Sequence, residues 1–149
     1  MKHEQEIIEY IQANPVMVLS TVDDLGMPHG AAVYAYVKSA KKVYCITKTD
    51  TRKFQNLRAN PHVAITIVNS EENSSLQATG HAGTVQDAAE LEDVMGQMAK
   101  IYAKSPDWLP PIAKLRAGPY QVVGITLKDV RLARYLKEHP GSKAIFKEA

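Results

Sequence analysis

A chain of 149 residues with 45% hydrophobic and 23% charged side chains has the composition of one ordinary globular domain with a sizeable core. The net charge of +2 is too small to favour nucleic acid or an anionic membrane as a partner, and no apolar stretch is long enough to span a bilayer. The single cysteine, Cys45, excludes an intramolecular disulfide, and no Cys/His cluster has zinc-ligand spacing. The N-terminus MKHEQEIIEYIQ has no apolar signal-peptide region, so we expect a cytoplasmic protein.

The first part of the chain alternates helical and strand patterns. Ile7, Ile8 and Ile11 lie on one side of a helix predicted over about residues 3–13, and Asn14-Pro15 ends it. Apolar or alternating runs bounded by turn residues then predict strands at about 16–22, 29–38, 43–49, 62–68 and 76–86. A short helix over about residues 51–60 separates the third and fourth of these strands.

The second part opens with a longer helix. Asp87 is an N-cap candidate with Glu90 three residues later, which is a close variant of the capping box. An apolar stripe at helical spacing predicts the face that packs on the sheet: Leu91, Val94, Met95, Met98 and Ile101. The segment SPDWLPPIAKLRAGP is predicted to be irregular, with Trp108 packing on the sheet or, as an alternative, forming a wall of a substrate pocket. Residues 120–136 are predicted to form a final strand or a bent pair of strands.

These patterns amount to about six strands and three helices. The strands are mostly consecutive and joined by short turns, which predicts a mainly β, antiparallel sheet. A sheet of this size around one core tends to close into a barrel, with helices flanking its ends. We therefore expect a single domain over residues 1–149, with the barrel core at about 15–136.

The short helix after the third strand has an unusual charge distribution. It begins near Asp50 or Thr51, and Arg52 and Lys53 lie in its first turn, where the helix dipole already contributes positive charge. Solvated surface charge is one interpretation. The other is a phosphate site, made by free backbone N–H groups, the two cations and threonine hydroxyls. No G-x-G-x-x-G or Walker-type loop is present, so such a site would be neither a Rossmann nor a P-loop site.

The order of three segments, STVDDLGMPHGAAVYAYV, VYCITKTDTRKFQNLRANPHVAI and LQATGHAGTV, resembles the pyridoxamine 5′-phosphate oxidase-like, FMN-binding split-barrel family. The similarity extends over about residues 5–136 and is greatest to its small, general-stress-protein-like members. It implies a six-stranded antiparallel Greek-key barrel. It also implies a homodimer with FMN at the subunit interface.

The resemblance also implies a set of cofactor-binding residues. The strand GAAVY would line the isoalloxazine ring with its backbone, through Ala31, Ala32, Val33 and Tyr34. Ile46 and Thr47 match a cofactor-binding pair of an aromatic or aliphatic residue and a threonine at the end of the return strand. Thr51, Arg52 and Lys53 match the triplet that binds the FMN phosphate in this family. Gln77 matches a glutamine that reaches the flavin, often from the other subunit.

The same comparison argues against vitamin B6 oxidation. Arg131 and Arg134 are present near the C-terminus, but the Arg-x-His pair that holds the substrate phosphate in true pyridoxamine phosphate oxidases is not. The resemblance therefore implies an FMN-dependent oxidoreductase with an unidentified small substrate, unassigned catalytic residues and a nicotinamide nucleotide as electron donor. The alternatives are a non-catalytic flavin carrier or sensor, and a split barrel that binds deazaflavin or another phosphorylated ligand.

The five histidines are scattered and have no catalytic spacing. Strand alternation places Gln77, Thr79 and His81 on one face of the predicted strand 76–86. A structural role for His81 is the favoured interpretation, with a position near the flavin as the alternative. His29 and His62 follow prolines at strand starts and are interpreted as solvated.

Overall fold

The computed structural model describes residues 3–104, 119–135 and 145–148. Its helices are α1 (Glu4–Ala13), α2 (Arg52–Ala59) and α3 (Ala88–Ala103). Its strands are β1 (Val16–Val22), β2 (Pro28–Tyr34), β3 (Tyr36–Ser39), β4 (Lys42–Lys48), β5 (His62–Asn69), β6 (Ser74–Thr84), β7 (Tyr120–Arg134) and β8 (Ile145–Glu148). Within the described residues, no helix has both the length and the apolar character needed to cross a membrane. Trp108 and His139 lie outside the described residues.

The strands form one curled antiparallel sheet, which confirms the predicted mainly β class. The order is β2-β1-β5-β6-β7-β4-β3, and β8 pairs with the end of β7. The single strand predicted at 29–38 is divided at Ala35, whose N–H donates to the carbonyl of Pro15 at 2.7 Å. This division and the additional β8 account for eight strands among the described residues, compared with the six expected from the sequence.

At Ala35 the chain changes its pairing partner from β1 to β4. Before it, β2 pairs with β1, in a register that joins Tyr34 to Val16. After it, β3 pairs with β4, in a register that joins Tyr36 to Tyr44. One continuous segment therefore connects the two ends of the strand order.

The main core fills the inside of the curled sheet. In β1, Met17, Leu19 and Thr21 are fully buried, whereas Val16 and Val18 point outward and are exposed, as the two-residue period of a strand requires. Helix α1 covers one end with two fully buried isoleucines, Ile7 and Ile11, while Ile8 is only partly buried. The predicted helix and its packing side are therefore confirmed.

A second, smaller core lies between α3 and the outer side of β4 and β7. It consists of Tyr34, Tyr44, Ile46, Val85, Val94, Met98 and Val122. The Asp87 carboxylate accepts a hydrogen bond from the backbone N–H of Glu90 at 2.9 Å, which confirms the predicted N-cap. The packed face is narrower than the stripe predicted, because Met95 is 50% exposed.

The contact between β6 and β7 contains one position that only glycine can occupy. The pairing register shifts between Ala78 and Gly80, which brings the two backbones close together. A Cβ atom on Gly80 would lie 2.4 Å from the carbonyl oxygen of Thr126, whereas a Cβ on Gly83 of the same strand would meet nothing within 4 Å.

We therefore expect Gly80→Ala to destabilise the fold by about 2 kcal/mol or more, because the new methyl group must displace backbone rather than a flexible side chain. Gly83→Ala is the matched control and should leave the free energy of unfolding within about 0.5 kcal/mol of the parent. Urea unfolding followed by circular dichroism measures both. Equal stabilities of the two variants would contradict the close approach of β6 and β7.

Candidate cofactor site

The turn between β4 and α2 leaves the start of α2 without a side-chain cap. Thr51 precedes the helix in an extended conformation and makes no capping hydrogen bond. Its hydroxyl instead donates to the carbonyl of Lys48 at 2.7 Å and lies 3.2 Å from the hydroxyl of Thr47. The first N–H groups of α2 therefore remain available to an outside acceptor.

The charges around this helix start are not balanced. The first turn of α2 holds no acidic residue, and within the described residues no carboxylate forms an ion pair with Arg52 or Lys53. The nearest acidic residue in sequence, Asp50, pairs with Lys48 at 3.5 Å. In the part of the chain that the structure describes, two cations and an uncapped helix N-terminus thus lie together without a carboxylate partner.

Of the two cations, Lys53 gives the stronger indication of an anion site. Arg52 is exposed, but Lys53 is only partly exposed, and burial lowers the pKa of its ammonium group, although the nearby Cys45 thiol acts in the opposite direction. A cation in such a position is stabilised by an anion that enters the same partly dehydrated space. The side chains present therefore fit a phosphate monoester.

Packing fixes the position of α2 at one end of the sheet. Phe54 and Leu57 are buried in the main core. The amide Nδ2 of Asn56 donates to the hydroxyl of Thr21 at 3.0 Å, and both side chains are buried. Because these contacts hold the helix against β1, the cations of its first turn have a defined location rather than that of a loose loop.

Cys45 lies directly beneath this site but offers it no thiol chemistry. Its side chain is fully buried, and burial raises the pKa of the thiol to about 12 although Lys53 acts to lower it. Reactive cysteines need a thiolate. Cys45 is therefore a buried thiol that takes no part in nucleophilic chemistry.

Of the β2 residues expected along a flavin ring, only two have accessible surface. Ala32 is exposed and Ala31 is partly exposed, whereas Val33 faces the main core. Tyr34 is 2% exposed, and its ring makes an edge contact with Tyr102 of α3 at 5.2 Å. Val33 and Tyr34 can therefore offer a ligand their backbone but not their side chains.

The remaining predicted residues lie on different sides of the sheet. Ile46 points into the core under α3 and lines a cavity of about 340 Å³ beside Met95 and Tyr120. Thr47 is fully buried on the opposite side of β4. Sequence reasoning did not anticipate that Tyr102 would cover Tyr34, since nothing in its helical pattern distinguishes it from its neighbours.

Gln77 is exposed on the outer face of β6 and lies far from Ala32 of β2 within one chain. The registers place Ala32 beside Val18, Val18 beside Thr66, and Thr66 beside Gln77. Three strand spacings separate the ends of this row, or roughly 14 Å. Gln77 and Ala32 therefore lie on one outer face without sharing a cavity among the described residues.

The prediction that Gln77, Thr79 and His81 share a face is confirmed. These residues are exposed or partly exposed, while Leu76, Ala78 and Gly80 between them are buried. His81 lies against His62 of β5, with 4.4 Å between the ring centroids. The pKa of His81 is lowered mainly by partial burial, and further by the nearby charges of Lys128 and His62.

Arg134 makes structural contacts with α1. Its guanidinium forms an ion pair with Glu6 of α1 and lies 5.9 Å from the centroid of the Tyr10 ring. It therefore ties β7 to α1. This engagement agrees with the sequence-based argument against a substrate-phosphate clamp at the C-terminus.

The curled antiparallel sheet with its flanking helices defines a split-barrel protein. The chain belongs to the pyridoxamine 5′-phosphate oxidase family, whose model matches residues 3–134. A search of curated proteins gave no significant match.

Several solved structures share the fold at low sequence identity. A protein related to general stress protein 26 from Clostridium acetobutylicum is 20% identical, with a TM-score of 0.67, and the match covers 97% of this chain and 94% of that one. HutZ, the heme storage protein of Vibrio cholerae, is 22% identical, with a TM-score of 0.64 and coverages of 83% and 89%. PhzG of Burkholderia lata 383, solved with tetrahydrophenazine-1-carboxylic acid, is 9% identical, with a TM-score of 0.67 and coverages of 97% and 89%.

Proposed function

We propose that this protein binds FMN and acts as an FMN-dependent oxidoreductase on a small substrate. The observation that carries the proposal is the unbalanced positive charge at the start of α2, where Lys53 is half-buried without a carboxylate partner in the described part of the chain. Family membership supports a flavin as the source of the anion.

Several groups at the start of α2 would contact the FMN phosphate, each in a different way. Arg52 offers a planar fork to two phosphate oxygens, and Lys53 offers a point charge. The uncapped N–H groups of α2 add hydrogen bonds along the helix dipole. Thr51 is held by Lys48 and Thr47, so its position is fixed before the ligand arrives.

The ring would lie along the backbone of β2 at Ala31 and Ala32, where small side chains let a flat ligand approach. Peptide groups there can hydrogen-bond the ring edge and tune its electronics. Bound FMN would supply the redox chemistry. The chain would orient the ring and limit access of water to it.

We further propose a homodimer that completes the site. Gln77 and Ala32 are separated by roughly 14 Å across the sheet of one chain, so a partner's Gln77 is the better candidate to reach the ring. The same outer face exposes three valines, Val16, Val18 and Val68, at 37%, 42% and 68%. An apolar face of this kind favours self-association, and a monomeric mass by light scattering would contradict it.

The proposed phosphate site at the start of α2 is tested by replacing both of its cations, Arg52 and Lys53. We expect the Arg52→Ala/Lys53→Ala variant to lose FMN affinity by about 2–5 kcal/mol, as when charged partners of a buried anion are removed. Arg58→Ala is the matched control, because Arg58 is an exposed cation in the last turn of the same helix. Visible absorbance after FMN addition and desalting measures retention. A double variant that retains FMN as the parent does would contradict the assignment.

The depressed pKa of Lys53 predicts a pH dependence of FMN affinity. Binding of a dianion favours the charged ammonium and raises its pKa, so affinity is complete below the pKa of the free protein and falls as the pH rises through it. In Lys53→Arg the side chain stays charged at alkaline pH, so the loss of FMN affinity with rising pH should disappear. Lys38→Arg, at a surface ion pair with Asp93, should retain it. Titration of FMN fluorescence between about pH 7 and 10.5 measures the difference.

Turnover is tested by supplying an electron donor. We expect anaerobic addition of NADPH or NADH to bleach the visible absorbance of the FMN-loaded protein, because a nicotinamide nucleotide is the proposed donor. Dithionite serves as the control that the bound flavin is reducible. Reduction by dithionite but by neither nucleotide would contradict the proposed donor and favour a flavin carrier or sensor.

A further inference from the structure

A histidine pair lies on the outer face of the sheet, in a different place from the proposed phosphate grip. His62 of β5 and His81 of β6 are direct cross-strand partners. The neighbouring pair is hydrogen-bonded, since the N–H of Ala82 donates to the carbonyl of Pro61 at 2.8 Å. His62 and His81 therefore occupy a non-hydrogen-bonded position, where opposite side chains approach most closely.

The two rings lie close enough for both to reach one ion after a small adjustment. Their centroids are 4.4 Å apart and their planes are tilted by 51°. Two nitrogens bound to one tetrahedral zinc ion at 2.0–2.1 Å are about 3.3 Å apart, a separation that rings at this distance can reach. The pair is accessible, because His62 is exposed and His81 is partly exposed.

The surroundings leave room for an ion and its other ligands. The two histidines line a cleft of about 340 Å³ together with Ser20, Thr79 and Lys128. Within the described residues, no third His, Cys, Asp or Glu joins them in a metal-binding group. Of the four positions of a tetrahedral ion, two would therefore be filled by water or by a small ligand.

We propose that His62 and His81 form a two-histidine site for a late first-row divalent metal ion such as Zn²⁺. Imidazole ligands suit Zn²⁺, Cu²⁺ and Ni²⁺, whereas Mg²⁺ and Ca²⁺ prefer oxygen. Lys128 lines the same cleft, and its positive charge opposes a cation. The site therefore binds more weakly than the histidines alone would allow.

Calorimetric titration of the full chain with Zn²⁺ tests the site. We expect saturable binding of one ion per chain that is lost in His62→Gln and in His81→Gln, with no heat from Mg²⁺. The controls are His29→Gln, a strand histidine outside the cleft, and His3→Gln, a surface histidine 3.6 Å from Glu6. Binding that survives both cleft variants, or is lost in a control variant, would overturn the proposal.

Lys128→Gln distinguishes a metal site from an anion site. Removing the positive charge should strengthen Zn²⁺ binding, since the repulsion in the cleft is relieved. If the cleft instead held an anion, inorganic phosphate would bind the parent, Lys128→Gln would abolish that binding, and Zn²⁺ would not bind. That result would overturn the proposal. Circular dichroism of each variant verifies that the sheet is intact.

Discussion

The bend at Ala35 is the constraint on which the rest of this structure depends. It lets one segment pair with β1 before the bend and with β4 after it, so the two ends of the strand order meet. The N–H of Ala35 donates a hydrogen bond to the carbonyl of Pro15, so the bend leaves no unsatisfied donor at this position. Because the sheet is curled, its inner face encloses one core and its outer face supports a second beneath α3.

The curled sheet also determines where the positive charge collects. α2 follows β4 directly, and its buried Phe54 and Leu57 hold it against the end of the sheet. Its polar first turn then carries Arg52 and Lys53, without an acidic neighbour in that turn. Packing places the helix here despite the unfavourable interaction of these cations with its dipole, which amounts to about 0.3–1 kcal/mol. A bound phosphate would offset this cost, because it would attract both the cations and the helix N-terminus.

Two features of the outer face have a common origin in the pleat of the strands. Alternation turns Gln77, Thr79 and His81 outward while their neighbours fill the core. The same alternation on β1 and β5 exposes Val16, Val18 and Val68. One face therefore contains an apolar area, a glutamine that cannot reach β2 in its own chain, and a histidine pair.

The sequence alone determined the three helices, most strand positions and the charge anomaly at Arg52 and Lys53, because each is a local pattern of periodicity, caps or charge. The N-cap at Asp87 and the shared face of Gln77 and His81 are examples. Only the tertiary structure decided the division of the predicted strand at Ala35, the exposure of Met95 and the burial of Tyr34 under Tyr102. It also decided that His62 faces His81. These depend on register and on contacts between distant segments, which local patterns do not encode.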